Sequence, residues 1–177
     1  MWTSLHFWAV WFIVLGLIII LAFGFTTDPK KVPSPLIGRT APDFQVDELN
    51  GDKKFSLSEF KGLPIVLNFW ASWCAECRTE AVILEDFFQK YGKKNKQLVM
   101  IGIAIQDSPK KAKDFARLFG KSYLLGLDDE AGNIALDYGI YGVPETFFID
   151  TEGKVFHKTI GMVKTELMEK KLKPFLQ

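Results

Sequence analysis

Residues 64–77 read Pro64-Ile65-Val66-Leu67-Asn68-Phe69-Trp70-Ala71-Ser72-Trp73-Cys74-Ala75-Glu76-Cys77. The segment Pro64 to Trp70 is mostly apolar and bounded by Gly62 and Ser72, the pattern of a strand buried on both faces. From Cys74 to Tyr91, apolar residues at Val82, Ile83, Phe87 and Tyr91 recur at helical spacing, and Gly92 closes the run. A buried strand therefore hands over to a helix at Trp73-Cys74-Ala75-Glu76-Cys77. Two thiols separated by two residues at a helix start can close a small disulfide ring. Cys74 lies at the N-terminus, where free backbone N–H groups and the helix dipole stabilise a thiolate. Cys77 falls nearly one turn on, faces inward and can attack a mixed disulfide formed by Cys74. A zinc half-site needs two further strong ligands, whereas the chain has no other Cys and only His6 and His157. No metal site is expected.

Outward from this junction the pattern alternates. Lys54 to Leu57 is a short candidate strand after an Asn50-Gly51 turn signal, and Leu98 to Ile105 a second buried strand. Pro109 to Phe119 reads as a helix, with Ser108 as N-cap and Gly120 after its end. Tyr123 to Leu127 follows as a strand and Ala131 to Tyr138 as a short helix. Thr146 to Ile149 and Val155 to Ile160 flank Thr151-Glu152-Gly153 as a hairpin, and Thr165 to Phe175 is the last helix. This order implies an α/β fold, a central mixed β-sheet with helices on both faces. Just before the hairpin, Tyr141-Gly142-Val143-Pro144-Glu145-Thr146 puts a proline ahead of a strand. A cis Val143–Pro144 bond there would leave the Val143 backbone free to pair with an extended peptide. A plain loop proline at a strand start is the competing reading.

The N-terminal end is of another kind. Phe7 to Phe25 carries no charge, and at about 1.5 Å per residue it spans roughly 28 Å, close to a bilayer's hydrocarbon thickness. Trp2, Trp8 and Trp11 crowd its start, as interfacial rings do. Residues 1–25 are expected to form an uncleaved membrane anchor. A cleaved signal peptide competes, since Ala22-Phe23-Gly24 is a small-x-small pattern, but no Lys or Arg precedes the run. Four of the eight prolines, Pro29, Pro33, Pro35 and Pro42, follow closely. Residues 26–35 read as a Pro-containing linker and 36–177 as the globular domain. Lys30 and Lys31, after the span, weakly favour a cytoplasmic body, though long domains translocate largely regardless of charge.

Composition narrows the function classes. Hydrophobic residues make up 48% of the chain and charged residues 24%, enough for a packed core. Lys+Arg number 22 against Asp+Glu 21, a balance unlike that of a nucleic-acid binder, so no nucleic-acid partner is expected. No phosphate loop or nucleophilic serine signature stands out.

Together these residues resemble the thioredoxin-like fold, through W-C-x-x-C and the V-P pair before a strand. More narrowly they are similar to the membrane-anchored bacterial thiol–disulfide proteins of the CcmG/DsbE, ResA and TlpA group. The supporting segments are Ala41-Pro42-Asp43-Phe44, Leu67 to Cys74, and Tyr141 to Asp150, the last pointing to the CcmG/DsbE branch. The resemblance implies a reductase on the periplasmic side of the bacterial inner membrane, held by a single-pass helix. Its substrate would be the haem-attachment cysteines of apocytochrome c, and its electrons would come from a membrane thiol carrier of the DsbD or CcdA kind. Cys74 would attack, Cys77 resolve, and Pro144 be the cis proline. Trp73, Val143, Pro144 and Glu145 would line the substrate site. No cofactor beyond the redox-active Cys74–Cys77 disulfide is implied.

Two acids match family positions. Glu80, three residues beyond Cys77 on the same helical face, could relay protons to Cys77 if burial raises its pKa. Glu145 is expected beside the thiols or against substrate. Glu76, inside the motif, opposes a Cys74 thiolate and favours an electron donor. Trp70 and Trp73 are expected beneath and beside the thiols, and His157 on the surface. Two alternatives stay open: a reductase for another extracytoplasmic partner such as a copper-site protein, and a copper-delivery module of the same fold.

Overall fold

The structure is a computed structural model that describes residues 2–25, 34–51 and 53–176. The chain separates into two compact units, Met1–Val32 and Pro33–Gln177. In the first, α1 (Trp2–Phe25) is a single helix. Its His6–Gly24 stretch is long and apolar enough to cross a bilayer and is unburied by protein, which is compatible with a single-pass anchor. Most of the linker expected over 26–35 lies outside the described residues, at 26–33.

The second unit has a five-stranded sheet in the order β5-β4-β3-β6-β7. Its centre is β3 (Ile65–Trp70), every residue of which is buried. A strand covered on both faces must be apolar almost throughout, and Asn68 is the single polar exception. β4 (Val99–Ala104) and β5 (Leu124–Leu127) continue parallel on one side. On the other side, β6 (Glu145–Ile149) and β7 (Val155–Ile160) form the expected antiparallel hairpin. Helices α2 (Ala75–Phe87), α3 (Pro109–Leu118) and α5 (Thr165–Leu172) bury Val66, Trp70, Met100 and Phe148 on one face. The short α4 (Asn133–Asp137) and the segment around Ala41–Leu57 bury Leu67, Phe69, Ile103 and Phe147 on the other.

Several boundaries differ from expectation. A three-residue strand β1 (Gln45–Asp47) pairs with β2 (Lys54–Ser56); with only Val46 buried, it has no periodicity to read. Leu57 is not in β2 but opens a 3-10 turn, where the Glu59 carboxylate accepts from the Ser56 N–H at 3.0 Å. Gly92 does not close α2; it lies inside a π-helical turn, Phe88–Lys93. A Cβ at Gly92 would come within 2.3 Å of the Phe88 ring, so packing rather than capping requires glycine there. Gly132, at φ +72, delays α4 past the expected Ala131, and the Asp128 carboxylate then accepts from the N–H groups of Ile134 and Ala135. α5 stops at Leu172 rather than Phe175.

Gly102, in the middle of β4, allows a close approach. A Cβ there would stand 2.9 Å from Leu125 Cδ2, 3.0 Å from Trp70 Nε1 and 3.1 Å from Tyr123 Cε2. All three groups are locked in the core, so Gly102→Ala is expected to destabilise the domain by about 2 kcal/mol. A urea midpoint unchanged from wild type would contradict this packing.

Candidate active site

The site forms where β3 ends and α2 begins. Cys74 is the N-cap of α2, with extended backbone (φ −80, ψ 119). Its Sγ accepts the N–H of Cys77 at 3.1 Å, the bond an N-cap Ser or Asp side chain would make. Cys74 and Cys77 are joined by a disulfide with Cα atoms 5.3 Å apart. Cys74 is 5% exposed and Cys77 1%, so the first sulfur is the more approachable. Among the described residues, no group of three or more His, Cys, Asp or Glu side chains is placed to hold a metal ion.

The segment before Cys74 is pinned from the end of β4. Asp107 accepts from the Ser72 N–H at 2.6 Å and the Ser72 hydroxyl at 2.9 Å. Gln106, forced into the left-handed region at φ 48, turns its carbonyl to accept from Trp73 Nε1 at 3.0 Å. Trp73 is 56% exposed and flanks the disulfide, while Trp70 lies fully buried. Nothing in the sequence singled out Gln106 or Asp107. A non-glycine residue in a left-handed conformation is visible only in three dimensions.

From the other side comes the loop before β6. The Val143–Pro144 peptide is cis, and the Val143 carbonyl oxygen lies 3.6 Å from Cys74 Sγ. Pro144 is buried and its carbonyl accepts from the Gly161 N–H at 2.8 Å. Half-buried Val143 therefore presents its backbone beside the sulfur, where an extended peptide could add alongside.

Glu80, 1% exposed, lies three residues beyond Cys77 on the same buried face of α2. One carboxylate oxygen accepts from the Val163 N–H at 2.8 Å and the other from Asn68 Nδ2 at 2.9 Å. The Asn68 amide also donates to Thr146 Oγ1 at 3.0 Å, tying α2 to β3 and β6. Burial pushes the Glu80 carboxyl up to about 7, against the two hydrogen bonds and the Lys121 ammonium, which hold it down. Asn68, Thr146 and Val163 were not singled out in the sequence; of the three only Asn68 carried a signal, as the one polar residue of an apolar strand.

Glu145 is the correction. Expected at the thiols or against substrate, it is fully buried and on the far face of the sheet. Asn68 pairs with Thr146 and Phe69 with Glu145. Because successive strand residues point to opposite faces, Thr146 faces Glu80 and Glu145 faces away. Lys158 Nζ lies 2.6 Å from Glu145 Oε2, a contact outside the geometry of a directed hydrogen bond, and both side chains are withdrawn from solvent. His157 differs too: it is half-buried, its ring 5.5 Å from that of Phe148, and burial lowers its pKa.

A disulfide that caps a helix beside a cis proline, on a thioredoxin-like sheet, defines a thiol–disulfide oxidoreductase. Residues 36–176 match the Redoxin family. The chain is 36% identical over 140 residues to the thiol:disulfide interchange protein DsbE of Pseudomonas fluorescens biotype C, spanning 79% of this chain and 75% of that protein. Against DsbE of Escherichia coli K12 it is 32% identical over 149 residues, spanning 83% and 77%. A solved thiol-disulfide oxidoreductase from Bacteroides fragilis superposes with a TM-score of 0.68 at 27% identity, covering 78% of this chain and 100% of that one. The protein therefore belongs to the Redoxin family, among the DsbE thiol:disulfide interchange proteins.

Two outcomes follow from the buried charges. Glu80 keeps a proton in the folded state to about pH 7 but loses it near 4.5 when unfolded, so its contribution to stability falls as pH rises through that window. Glu80→Gln should flatten this decline, and thermal melts showing the same slope in both proteins would refute it. Glu145→Ala leaves the largely buried Lys158 ammonium with the Gly139 carbonyl, 3.3 Å away, in place of its counter-ion and should destabilise by about 3 kcal/mol. Pairing it with Lys158→Met should restore most of the loss; an unaltered denaturation midpoint in the single variant would remove the ion pair's importance.

Proposed function

We propose that this protein is a membrane-tethered reductase whose Cys74–Cys77 pair reduces the haem-attachment cysteines of apocytochrome c. In this reading α1 holds the domain on the extracytoplasmic side of the bacterial inner membrane, and a membrane dithiol carrier resupplies electrons. Relationship to the DsbE proteins supports the pathway. One observation carries the chemistry: the capping N–H of Cys77 reaches Cys74 Sγ beside the Val143 carbonyl, so the sulfur with anion stabilisation is also the one at the peptide-binding edge.

In the reduced protein, the Cys74 thiolate attacks one sulfur of the substrate disulfide. That S–S bond breaks, the departing substrate sulfur takes up a proton, and a mixed disulfide remains on Cys74. Cys77 then passes its proton to Glu80 and attacks Cys74 Sγ. The mixed bond breaks and the second substrate sulfur leaves as a thiol. The substrate has gained two electrons and two protons, and the Cys74–Cys77 bond has re-formed as the sole redox group. Exposed Trp73 and the Val143–Pro144 backbone hold the substrate chain. Glu145 acts only through the fold.

Cys77→Ser removes the resolving thiol and should accumulate the mixed disulfide on Cys74. Expression of this full-length variant in cells making c-type cytochromes should trap apocytochrome covalently. Trapping only of other proteins would refute the pathway while leaving the chemistry intact. The disulfide's potential is expected near the thioredoxin value of about −270 mV, and a value above about −180 mV would contradict a reductant.

A further inference from the structure

Lys121 lies in the turn between α3 and β5, in the unremarkable sequence Gly120-Lys121-Ser122. The turn is fastened twice to what surrounds it. The Lys121 N–H donates to the Ala116 carbonyl at 2.9 Å, and the Ser122 N–H and hydroxyl both donate to the Glu85 carboxylate, at 2.8 and 2.7 Å. Glu85 stands on α2, five residues beyond Glu80. With Ser122 held there and Gly120 in the left-handed region at φ +66, the Lys121 side chain is directed inward.

Its ammonium ends in an aromatic cage. Nζ lies 3.8 Å from the centre of the Trp70 ring, 5.4 Å from Tyr123 and 5.6 Å from Phe115. The side chain is 5% exposed, and among the described residues no carboxylate oxygen lies within 4 Å of Nζ. Rings favour a desolvated cation, but by less than its burial costs. Methionine would fill the same space without that penalty, so packing alone gives the charge no purpose.

The charge does have a counterpart. Trp70 and Asn68 share one face of β3, and Asn68 Nδ2 holds the Glu80 carboxylate. The polar groups facing this region come from every element around it. Glu80, Glu85 and Glu76 lie on α2, Asn68 on β3, Tyr123 before β5, and the Val163 N–H after β7. Lys121 is the only cation among them. Burial pushes it down to about 7, opposed by Glu80 and Glu85, so it and Glu80 change charge over the same pH range. Tyr123 Oη and Trp70 Nε1, both buried, have no hydrogen-bond partner among the described residues. Asn68 Oδ1 is likewise buried without one, and Glu80 is the carboxylate in this region whose two oxygens are both held by buried donors.

We propose that Lys121 is a positioning residue for proton transfer at the disulfide: its caged ammonium, on the Trp70 ring beside Asn68, favours the ionised form of Glu80 that accepts the Cys77 proton. The inference rests on the relay role proposed for Glu80. In the step concerned, the Cys77 proton moves to a Glu80 oxygen, Cys77 Sγ bonds to Cys74 Sγ, and the bond from Cys74 to the substrate sulfur breaks. Lys121 forms and breaks no bond; it sets the pH at which Glu80 is free to accept.

The test uses the full-length protein in detergent with oxidised glutathione as probe. Reduced protein is mixed with glutathione disulfide, and release of the second glutathione, which reports Cys77 attack on the mixed disulfide, is followed across the neutral pH range. Lys121→Met should move the acid limb of this profile to higher pH by about one unit, a tenfold slower release on that limb. Lys121→Gln serves the same comparison if methionine fails to fold, and Lys121→Arg should bring the limb back toward wild type. Glu80→Gln should abolish the limb, and adding Lys121→Met to it should change nothing. A limb that stays in place or moves to lower pH in Lys121→Met, beside its loss in Glu80→Gln, overturns the role of Lys121 alone. A wild-type limb in both variants overturns the relay through Glu80 as well.

Discussion

The N–H of Cys77 reaching back to the sulfur of Cys74 joins two requirements in one bond. A helix needs an acceptor at its N-cap, and Cys74 supplies it. A nucleophilic sulfur needs stabilisation as an anion, and the same N–H and helix terminus supply that. The start of α2 therefore cannot drift by a residue without uncoupling the thiols from the dipole. Much of the surrounding structure serves to fix that start: β3 is buried along its whole length, and the Gln106–Asp107 turn grips Ser72 and Trp73 from the side.

Register decides which acids take part. Glu145 and Thr146 are neighbours on β6, yet only Thr146 joins the Asn68–Glu80 network. Glu145 meets Lys158 on the opposite face, where the ammonium lies 4.9 Å from the centre of the Phe147 ring. A one-residue slip of β6 against β3 would exchange the two, putting a second carboxylate beside Glu80 and a hydroxyl opposite Lys158. The neighbouring cis Val143–Pro144 segment, held through the Pro144 carbonyl to Gly161, stands at the point where this register is set.

The parts legible in the sequence share a physical signature that is local. PIVLNFW announces a two-sided buried strand by its composition, and C-x-x-C at its end announces the helix start and the sulfur chemistry together. Three-residue β1 and the capping of α4 by Asp128 lie below the length at which periodicity speaks. The misplaced Glu145 shows a different limit. Its neighbour Pro144 is at the site, but adjacency along a strand means opposite faces, and only the pairing with β3 says which face is which. Lys121 was illegible for a third reason: a lysine between Gly and Ser reads as solvated, and its burial comes from Ser122 being held by Glu85 on another element.

The depth of Glu80 is a compromise between opposing demands. An ordinary thiol near 8.5 gives its proton to a carboxylate near 4.5 only against about 5 kcal/mol. Raising the acceptor to about 7 lowers that to about 2 kcal/mol. Burial alone would overshoot, because a carboxyl with no partners in an apolar core stays protonated through neutrality and can accept nothing. The Val163 N–H and the Asn68 amide, with the Lys121 charge behind Trp70, pull the other way and leave the group able both to take and to release a proton near neutral pH. Glu76 at the first turn of the helix pushes upward again. The proton affinity of Glu80 is thus the balance of desolvation and the Glu76 charge against two hydrogen bonds and the Lys121 charge, so it is set only when the sheet, α2 and the loops after α3 and β7 are all in place.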